Sequence, residues 1–373
     1  MDFFITHISN KASDYVNQVL KSSFLSEGKL VEKFEKKIED SLGINNVVAV
    51  NSGTSALHLA LILADIGIGD EVIIPSQTFV ATGLAVLMVG AKPVFADIDI
   101  TTGNICVTDL KNKISPNTKA IIPVHWAGYP CEMQSIIELA KKHNLQVIED
   151  AAHAFGAKYF DKPIGSISNY TCFSFQAIKH ITTGDGGAIA IKDDNKYLEA
   201  KKLRWFGIDR VTSKIGILGE REYNLENIGY KYHLNDYAAA LGLANLDDLE
   251  FILKRRKIIY EFYVNNIIQN EKLTLLKYDI HNESANWLFT FLVKDRSNFI
   301  KYLKIHDIPS SVVHIGIHKN KLFKADNQEL KGQRYFDEHQ IAIPLHSNLT
   351  DEEIKHIVSI INKWGQINLN TNY

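Results

Sequence analysis

Cysteine is scarce in this sequence. The 373 residues include three cysteines, Cys106, Cys131 and Cys172, and no two of them form a CxxC pair. Scattered cysteines of this kind predict neither a disulfide framework nor a zinc site. Because few thiols without a disulfide pattern are typical of a reducing compartment, we expect a cytoplasmic protein.

An excess of charge and long apolar runs are also missing. The 41 basic and 43 acidic side chains leave a formal net charge of -2 at pH 7, so nothing indicates a nucleic-acid or membrane surface. No apolar run is long enough to cross a bilayer, and the first residues do not resemble a signal peptide. The histidines are scattered, with no HExxH motif and no complete calcium loop, so no metal site is expected.

From about residue 46 to residue 191 the sequence alternates between strand-like and helix-like segments. Such alternation predicts crossover connections and an α/β fold with a largely parallel sheet. In sheets of this kind, ligands bind beyond the carboxyl ends of the strands. The predicted strands are 47–50, 71–75, 92–98, 119–125, 146–150, 170–175 and 188–191, and the predicted helices are 54–66, 78–89 and 132–143.

The pattern changes after about residue 240. A long helix is predicted over 241–265, strands over 286–293 and 310–314, and a closing amphipathic helix over 351–363. Thr350 precedes two acidic residues and is the expected N-cap of that last helix. We therefore predict a large domain over residues 1–245 and a smaller α+β domain over residues 246–373.

Two side chains near predicted strand ends suggest a specific chemistry. Lys179 lies between the apolar run 170–175 and the glycine-rich turn 182–187, and Asp150 ends the apolar run 145–150. A lysine amine forms a Schiff base with an aldehyde, and a carboxylate keeps a ring nitrogen protonated; pyridoxal phosphate (PLP) requires both. A lysine alone is most often a solvated charge, and Asp150 alone could be a capping carboxylate. Their setting favours the catalytic interpretation.

Residues 51–57 join a predicted strand to a predicted helix and could bind a phosphate. Backbone N–H groups at Gly53, Thr54 and Ser55 would face an anion at the helix N-terminus. Ser174, five residues before Lys179, could add a hydroxyl. The simpler interpretation of residues 51–57 is an ordinary Ser/Thr helix cap, because short Gly/Ser motifs recur by chance.

Phe79 and His153 are candidates for contacts with a flat ring. Phe79 follows a predicted strand end and could stack on a pyridine face. His153, three residues after Asp150, could hydrogen-bond or stack at the edge of the ring. The alternatives are a core phenylalanine and a buried, hydrogen-bonded histidine, and the residues alone leave them open.

Taken in order, these segments resemble the DegT/DnrJ/EryC1/StrS family, the PLP-dependent sugar aminotransferases. The resemblance covers nearly the whole chain and rests on many short motifs in the family's order. The motifs are NSGTSALH (51–58), PSQTFVAT (75–82), EDAAHAFG (149–156), FSFQAIK (173–179), TGDGG (183–187), GYKYHLND (229–236), IPLH (343–346) and LTDE (349–352).

The resemblance implies PLP as the cofactor and the aspartate aminotransferase-like fold, fold type I. In that fold a large α/β domain with a mostly parallel mixed sheet is joined to a smaller α+β C-terminal domain. The family also implies a homodimer with shared active sites. Lys179 would carry the cofactor covalently, and Asp150 would pair with its ring nitrogen. By position, the other cofactor-binding residues would be Gly53, Thr54, Ser55, Phe79, His153, Ser174 and, in the partner's site, Asn235.

The resemblance also implies the substrates. Relatives transfer an amino group from an amino acid, mostly glutamate, to a nucleotide-linked keto sugar. The turn 182–187 and the loop 229–235 resemble those of enzymes that aminate C4 of a 4-keto-6-deoxyhexose, the perosamine- and viosamine-forming type. Amination at C3, PLP-dependent sugar dehydration and a non-catalytic regulatory role remain alternatives, although an intact Lys179 favours transamination.

The sugar side of the site is less well defined. The loop 229–235 should reach the cofactor phosphate in the partner subunit's site. The resemblance does not decide which side chain of the loop binds it. His314 and His318 match a stretch that lies near the sugar in relatives, or they are structural. Arg204 and Arg210 could bind a pyrophosphate or a surface carboxylate. The loop candidates are Lys231, His233 and Asn235, with Lys231 also a candidate for the substrate.

Overall fold

A computed structural model describes residues 1–210, 212–323, 325 and 328–364. The helices are α1 Ala12–Ser22, α2 Lys29–Leu42, α3 Gly53–Leu63, α4 Val80–Met88, α5 Val107–Lys113, α6 Met133–His143, α7 Asp194–Leu203, α8 Asp236–Leu246, α9 Leu249–Asn266, α10 Arg296–Ile305, α11 Lys331–His339 and α12 Asp351–Trp364. The strands are β1 Val47–Val50, β2 Glu71–Pro75, β3 Lys92–Ala96, β4 Thr118–Ile121, β5 Gln146–Asp150, β6 Lys158–Tyr159, β7 Lys162–Pro163, β8 Tyr170–Ser174, β9 Gly187–Ile191, β10 Lys214–Ile215, β11 Arg221–Glu222, β12 Leu273–Leu275, β13 Phe289–Val293 and β14 Gln340–Ile343.

A seven-stranded sheet forms the centre of the fold, in the order β1-β9-β8-β5-β4-β2-β3. Strand β9 runs antiparallel to both of its neighbours, β1 and β8, and the other pairings are parallel. The predicted α/β class with a mostly parallel mixed sheet is confirmed. The parallel pairing of β5 with β8 sets Asp150 opposite Cys172, so the end of β5 lies beside the end of β8.

Alternate residues of single strands enter two different cores, one on each face of the sheet. In β1, Val47 and Ala49 belong to one cluster of buried residues, whereas Val48 and Val50 belong to the other. A strand whose side chains are buried on both faces reads as a continuous apolar run and not as an alternation. The sequence predicts these strands correctly for that reason.

A second, three-stranded antiparallel sheet, β12-β13-β14, lies in the C-terminal part. Its apolar side packs with α9, α10 and α12 into a separate core. The predicted cap of the last helix is confirmed, because the N–H of Glu353 donates to the Thr350 hydroxyl at 3.2 Å and the N–H of Thr350 donates to Glu353 at 2.9 Å. Among the described residues, no helix combines the length and apolar character needed to span a bilayer.

Two predictions in the C-terminal half were wrong. The helix predicted over 241–265 is two helices, because the chain breaks after Leu246, where the carboxylates of Asp247 and Asp248 pair with Lys11 and His7 respectively. The strand predicted over 310–314 is reduced to one bridge between Ser311 and Ala342. The domain boundary placed after residue 245 falls one residue before the end of α8 and stays a prediction.

A buried ion cluster fixes the start of the chain against the large sheet. Arg204 is 1% exposed and donates to the carboxylates of Glu35 and Glu27 and to the carbonyl of Ala49. Arg210, partly exposed, also pairs with Glu27, at 3.4 Å. Both arginines therefore pair with carboxylates among the described residues, but the partner Glu35 of Arg204 is buried and not at the surface as the sequence interpretation had it.

We expect Arg204→Met to destabilise the protein by about 3 kcal/mol, because Glu35 would keep its buried charge without a partner. The measurement is the midpoint and slope of urea-induced unfolding. Arg334→Met is the matched control: its pair with Glu329 is 3.7 Å long and both side chains are more than half exposed, so less than about 1 kcal/mol should be lost. Equal losses in the two variants would contradict the expectation.

Candidate active site

A cavity of about 370 Å³ opens at the carboxyl ends of β5 and β8 and at the N-terminus of α3. Its position matches the rule for parallel sheets, in which strand ends and helix N-termini meet at one edge. The structure brings eight of the predicted site residues to its wall, from segments up to 261 residues apart. They are Gly53, Thr54, Phe79, Asp150, His153, Ser174, Lys179 and His314.

Asp150 is held at the floor of this cavity. The Thr82 hydroxyl donates to one carboxylate oxygen at 2.7 Å, and the N–H of Ala152 donates to the other at 3.2 Å. Burial raises the pKa of Asp150, and the bonds from Thr82 and Ala152, with the charge of Lys179, oppose that shift. A cationic ring nitrogen next to this carboxylate would lower its pKa and keep it ionised.

Lys179 approaches the same cavity from the turn that follows β8. Its amine lies 3.9 Å from the centroid of the Trp287 ring. Burial lowers the pKa of Lys179 to about 7, against the attraction of Asp150. The lowered pKa favours the neutral amine near neutral pH, and the neutral form is the nucleophile that attacks an aldehyde.

The N-terminus of α3 faces the cavity, and some of its backbone N–H groups are available to a ligand. The Ser52 hydroxyl caps the helix by accepting from the N–H of Ser55 at 3.0 Å, so the predicted helix cap is present. The Ser55 hydroxyl donates to Asn51 at 2.7 Å, and both polar groups of Ser55 are therefore engaged in the cap. The first N–H groups of a helix have no intrahelical acceptor, which leaves those of Gly53 and Thr54 for an anion.

Close packing at two glycines brings these donors to the Ser174 hydroxyl. A Cβ on Gly53 would lie 3.0 Å from Cβ and 3.4 Å from Oγ of Ser174. A Cβ on Gly187 would lie 2.6 Å from the carbonyl carbon of Ser52. The helix N-terminus and the hydroxyl therefore form one concave surface, which an added methyl group would fill.

An aromatic side chain and a histidine also line the cavity wall. Phe79 is 55% exposed, which excludes a core role. His153 is 4% exposed, and its Nδ1 lacks a hydrogen-bond partner among the described residues. Burial lowers the pKa of His153 far below its usual value, with the Lys179 charge adding to the shift. Its neutral imidazole is therefore free to bond a ligand.

His314 and His318 have different surroundings. The ring of His314 lies 5.4 Å from that of Phe79 at the cavity, and burial lowers its pKa to about 4. The carbonyl of His314 accepts from the amides of Gln77 and Gln340 at 3.1 and 2.7 Å. His318 is not part of the cavity wall; its Nδ1 is bonded to the Ser76 hydroxyl at 2.6 Å.

The loop 229–235 does not line the cavity of its own subunit. Asn235 caps α8 by accepting from the N–H of Ala238 at 2.9 Å. The ring of His233 packs 3.9 Å from that of Trp205, and the carbonyl of Lys231 accepts from Asn51. All three candidates therefore have contacts within their own subunit, outside its cavity, and their roles in binding stay predictions.

Sequence reasoning did not identify Thr82 or Trp287 as site residues. Thr82 is in a quoted motif, but the bond to Asp150 follows from the direction of α4 and not from sequence spacing. Trp287 precedes β13 and lies 108 residues after Lys179, and no local pattern connects the two. Only the packed fold shows these contacts.

The residues present fit PLP. The concave donor surface of Gly53, Thr54 and Ser174 suits a phosphate, the buried carboxylate of Asp150 suits a protonated ring nitrogen, and the unpartnered His153 nitrogen suits a polar group of the ring. Lys179 supplies an amine of lowered pKa. These are the four features that a pyridoxal-type cofactor requires.

Comparisons with known proteins agree with this geometry. The DegT/DnrJ/EryC1/StrS aminotransferase family matches residues 6–362. The GDP-perosamine synthase of Escherichia coli O157:H7 is 34% identical over 96% of both chains. The crystal structure of sugar aminotransferase CalS13 from Micromonospora echinospora superimposes with a TM-score of 0.93 at 31% identity, covering 97% of this chain and 99% of that one.

A further solved structure bears on the cofactor. The PLP-form of a putative sugar aminotransferase, Spr1654 from Streptococcus pneumoniae, has a TM-score of 0.89 at 28% identity and covers 98% of each chain. The fold is therefore shared with sugar aminotransferases, and the cofactor is PLP.

We expect Gly53→Ala to weaken PLP binding about tenfold or more, because the added methyl group would press on Ser174 and displace charge-assisted donors from the phosphate. The measurement is a titration of cofactor-free protein with PLP. Gly67→Ala is the control, since a Cβ there has nothing closer than 4.0 Å and lies outside the cavity. Unchanged affinity in Gly53→Ala would refute the assignment of the phosphate surface.

Proposed function

We propose that this chain, which belongs to the DegT/DnrJ/EryC1/StrS aminotransferase family, transfers an amino group from glutamate to C4 of a nucleotide-linked 4-keto-6-deoxyhexose. It is a PLP-dependent sugar aminotransferase that aminates a nucleotide sugar. The choice of C4 is supported by the sequence of the turn 182–187 and by the similarity to GDP-perosamine synthases over nearly the whole chain.

The observation that carries the proposal is the buried Lys179 amine facing Asp150 in a cavity at the sheet edge. A pKa of about 7 suits a group that must both accept and release a proton near neutral pH. Bound PLP supplies an electron sink that stabilises negative charge on the substrate carbon. Asp150, fixed by Thr82, would keep the ring nitrogen protonated and so maintain that sink.

Lys179 acts as the proton carrier in both halves of the cycle. Lys179 would hold the cofactor covalently, and its free amine would take a proton from the amino-acid carbon and return it at C4′ of the cofactor. With the keto sugar bound, the same amine moves a proton in the opposite direction. The apolar side chains of Leu57 and Trp287 in the cavity wall exclude water that would compete for these protons.

The sugar would bind on the side of the cavity formed by His314. A histidine with a pKa of about 4 is neutral at pH 7. It can therefore donate a hydrogen bond to an uncharged sugar hydroxyl or accept one from it. His318 would act through Ser76, which it bonds, by holding the segment that carries His314. Lys231 would contribute a positive charge toward the substrate's diphosphate.

We also propose a homodimer in which each loop 229–235 completes the site of the other subunit. The loop lies outside the cavity of its own chain, although its residues Lys231 and Asn235 are those predicted to bind substrate and cofactor. The exposed apolar side chains of the neighbouring hairpin support burial against a second copy. These side chains include Ile215, Ile217 and Leu218, each more than 70% exposed.

The substrate assignment predicts one product. Incubated with PLP, glutamate and GDP-, dTDP- or UDP-linked 4-keto and 3-keto sugars, the protein should aminate a 4-keto sugar and release one 2-oxoglutarate per amine formed. Mass spectrometry and NMR identify the aminated carbon. Lys179→Ala should give no product, because it lacks the proton carrier.

Three results would contradict this assignment. A 3-amino product would place the enzyme with the C3-aminating relatives, and loss of water without an amino donor would indicate a dehydratase. Full turnover by Lys179→Ala would remove the catalytic role of that lysine. A panel of other amino acids in place of glutamate tests the donor separately.

Shared sites predict complementation between two inactive variants. A mixed dimer of Lys179→Ala and of Lys231→Ala/His233→Ala contains one site with an intact lysine and an intact loop. Activity should therefore return on mixing and re-association, to about a quarter of the wild-type value if the subunits exchange at random and half of the dimers are mixed. No recovery, with mixed dimers verified by native mass spectrometry, would show that each loop acts in its own subunit.

A further inference from the structure

Trp287 contacts the segment that carries Lys179 at two points. Its indole N–H donates to the carbonyl of Ile178, the residue before the lysine, at 2.9 Å. The amine of Lys179 lies 3.9 Å from the centroid of its ring. The same ring stacks on His153, with 3.8 Å between centroids and 13° between planes. One side chain therefore contacts the carbonyl of the residue before the lysine, the lysine's amine and the ring of His153.

The indole is itself rigidly held. Trp287 is 1% exposed, and its backbone N–H donates to the carbonyl of Ala127 at 2.8 Å. The buried guanidinium of Arg256 donates to the carbonyl of Trp287 at 3.2 Å, and the ring of Phe4 stacks at 5.5 Å. Because so many contacts fix the indole, it keeps its position when the amine moves and so offers the amine a defined location.

Few charged groups lie near a protonated Lys179 amine in this position. Asp150 attracts it, while the three histidines that feel its charge, His153, His180 and His314, all have pKa values lowered by burial and are neutral. Asp185 is the other acidic residue of the cavity wall, and it is exposed. No ion pair of the Lys179 amine occurs among the described residues. The aromatic face is therefore its nearest favourable surface.

We propose that Trp287 is a positioning residue that receives the free amine of Lys179 and stabilises its protonated form between the two proton transfers. The proposal rests on the proposed function, in which this amine is repeatedly released. A cation over an indole face is attracted by the ring's quadrupole. The interaction offsets part of the desolvation of the ammonium, so the amine can hold the proton without leaving the cavity.

Site-specific replacement of Trp287 by mono-, di- and trifluorotryptophan tests this directly. Fluorine withdraws electron density and weakens the attraction for a cation, while the shape of the ring and its N–H are kept. The pKa of Lys179 is measured in the cofactor-free protein by competitive acetylation over pH 5–10 and peptide mass spectrometry. Burial lowers the pKa of Lys179 to about 7, so the wild-type midpoint is expected there, and it should fall stepwise, by about half a pH unit or more with three fluorines.

The sign of the shift separates this role from a structural one. Less stabilisation of the ammonium lowers the pKa, whereas a loosened cavity that admits water would raise it. The same series at Trp205, whose ring lies 4.6 Å from the Arg210 guanidinium and outside the cavity, is the matched control and should leave Lys179 unchanged. Thermal unfolding verifies that all variants fold.

The same titration distinguishes failure of the catalytic role of Lys179 from failure of the positioning role of Trp287. A wild-type midpoint near that of an ordinary lysine, about 10, would overturn the catalytic assignment of Lys179. A midpoint near 7 that does not respond to fluorine at Trp287, or that rises, would overturn only the positioning role. A stepwise fall confined to the Trp287 series supports it.

Discussion

The site depends on two groups of opposite charge sharing one water-poor cavity. Burial raises the pKa of Asp150 and lowers that of Lys179, so each is driven toward its neutral form, while their mutual attraction opposes both shifts. Desolvation is the larger effect for each group. A cationic ring beside the carboxylate would therefore stabilise its ionised form, and the amine is reactive at neutral pH. Burial is the single cause that prepares both groups for the same cofactor.

That arrangement follows from strand ends, and this is why the sequence predicts so much of it. Asp150 is the last residue of β5 and Lys179 follows β8, its parallel neighbour. Once the alternation of strands and helices is recognised, the geometry of a parallel sheet places both groups at one edge. The same rule locates Gly53 and Ser174. Of the predicted cofactor residues, Ser55 faces its own helix cap and Asn235 caps α8.

Features that depend on distant contacts were not predictable in this way. At the break between α8 and α9, Asp247 and Asp248 pair with residues near the chain's start, and no window around residue 247 contains those partners. Trp287 reaches Lys179 across 108 residues, and the amide pair around His314 joins residues 77 and 340. Local pattern determines which segments form strands and helices, but packing of separate segments determines which side chains meet.

The C-terminal part contributes Trp287, Val313 and His314 to the cavity wall, and its attachment to the large sheet explains how that side is kept in place. The segment between β2 and α4 holds it twice: Ser76 bonds His318, and Gln77 bonds the carbonyl of His314. Phe79, on the same segment, faces the cavity. One short segment therefore lines the cavity through Phe79 and bonds the carbonyl of His314 through the Gln77 side chain, which holds these two parts of the wall together. If the sugar binds beside His314 as proposed, substitution of the side chains around it would change the sugar that is accepted without moving Asp150 or Lys179.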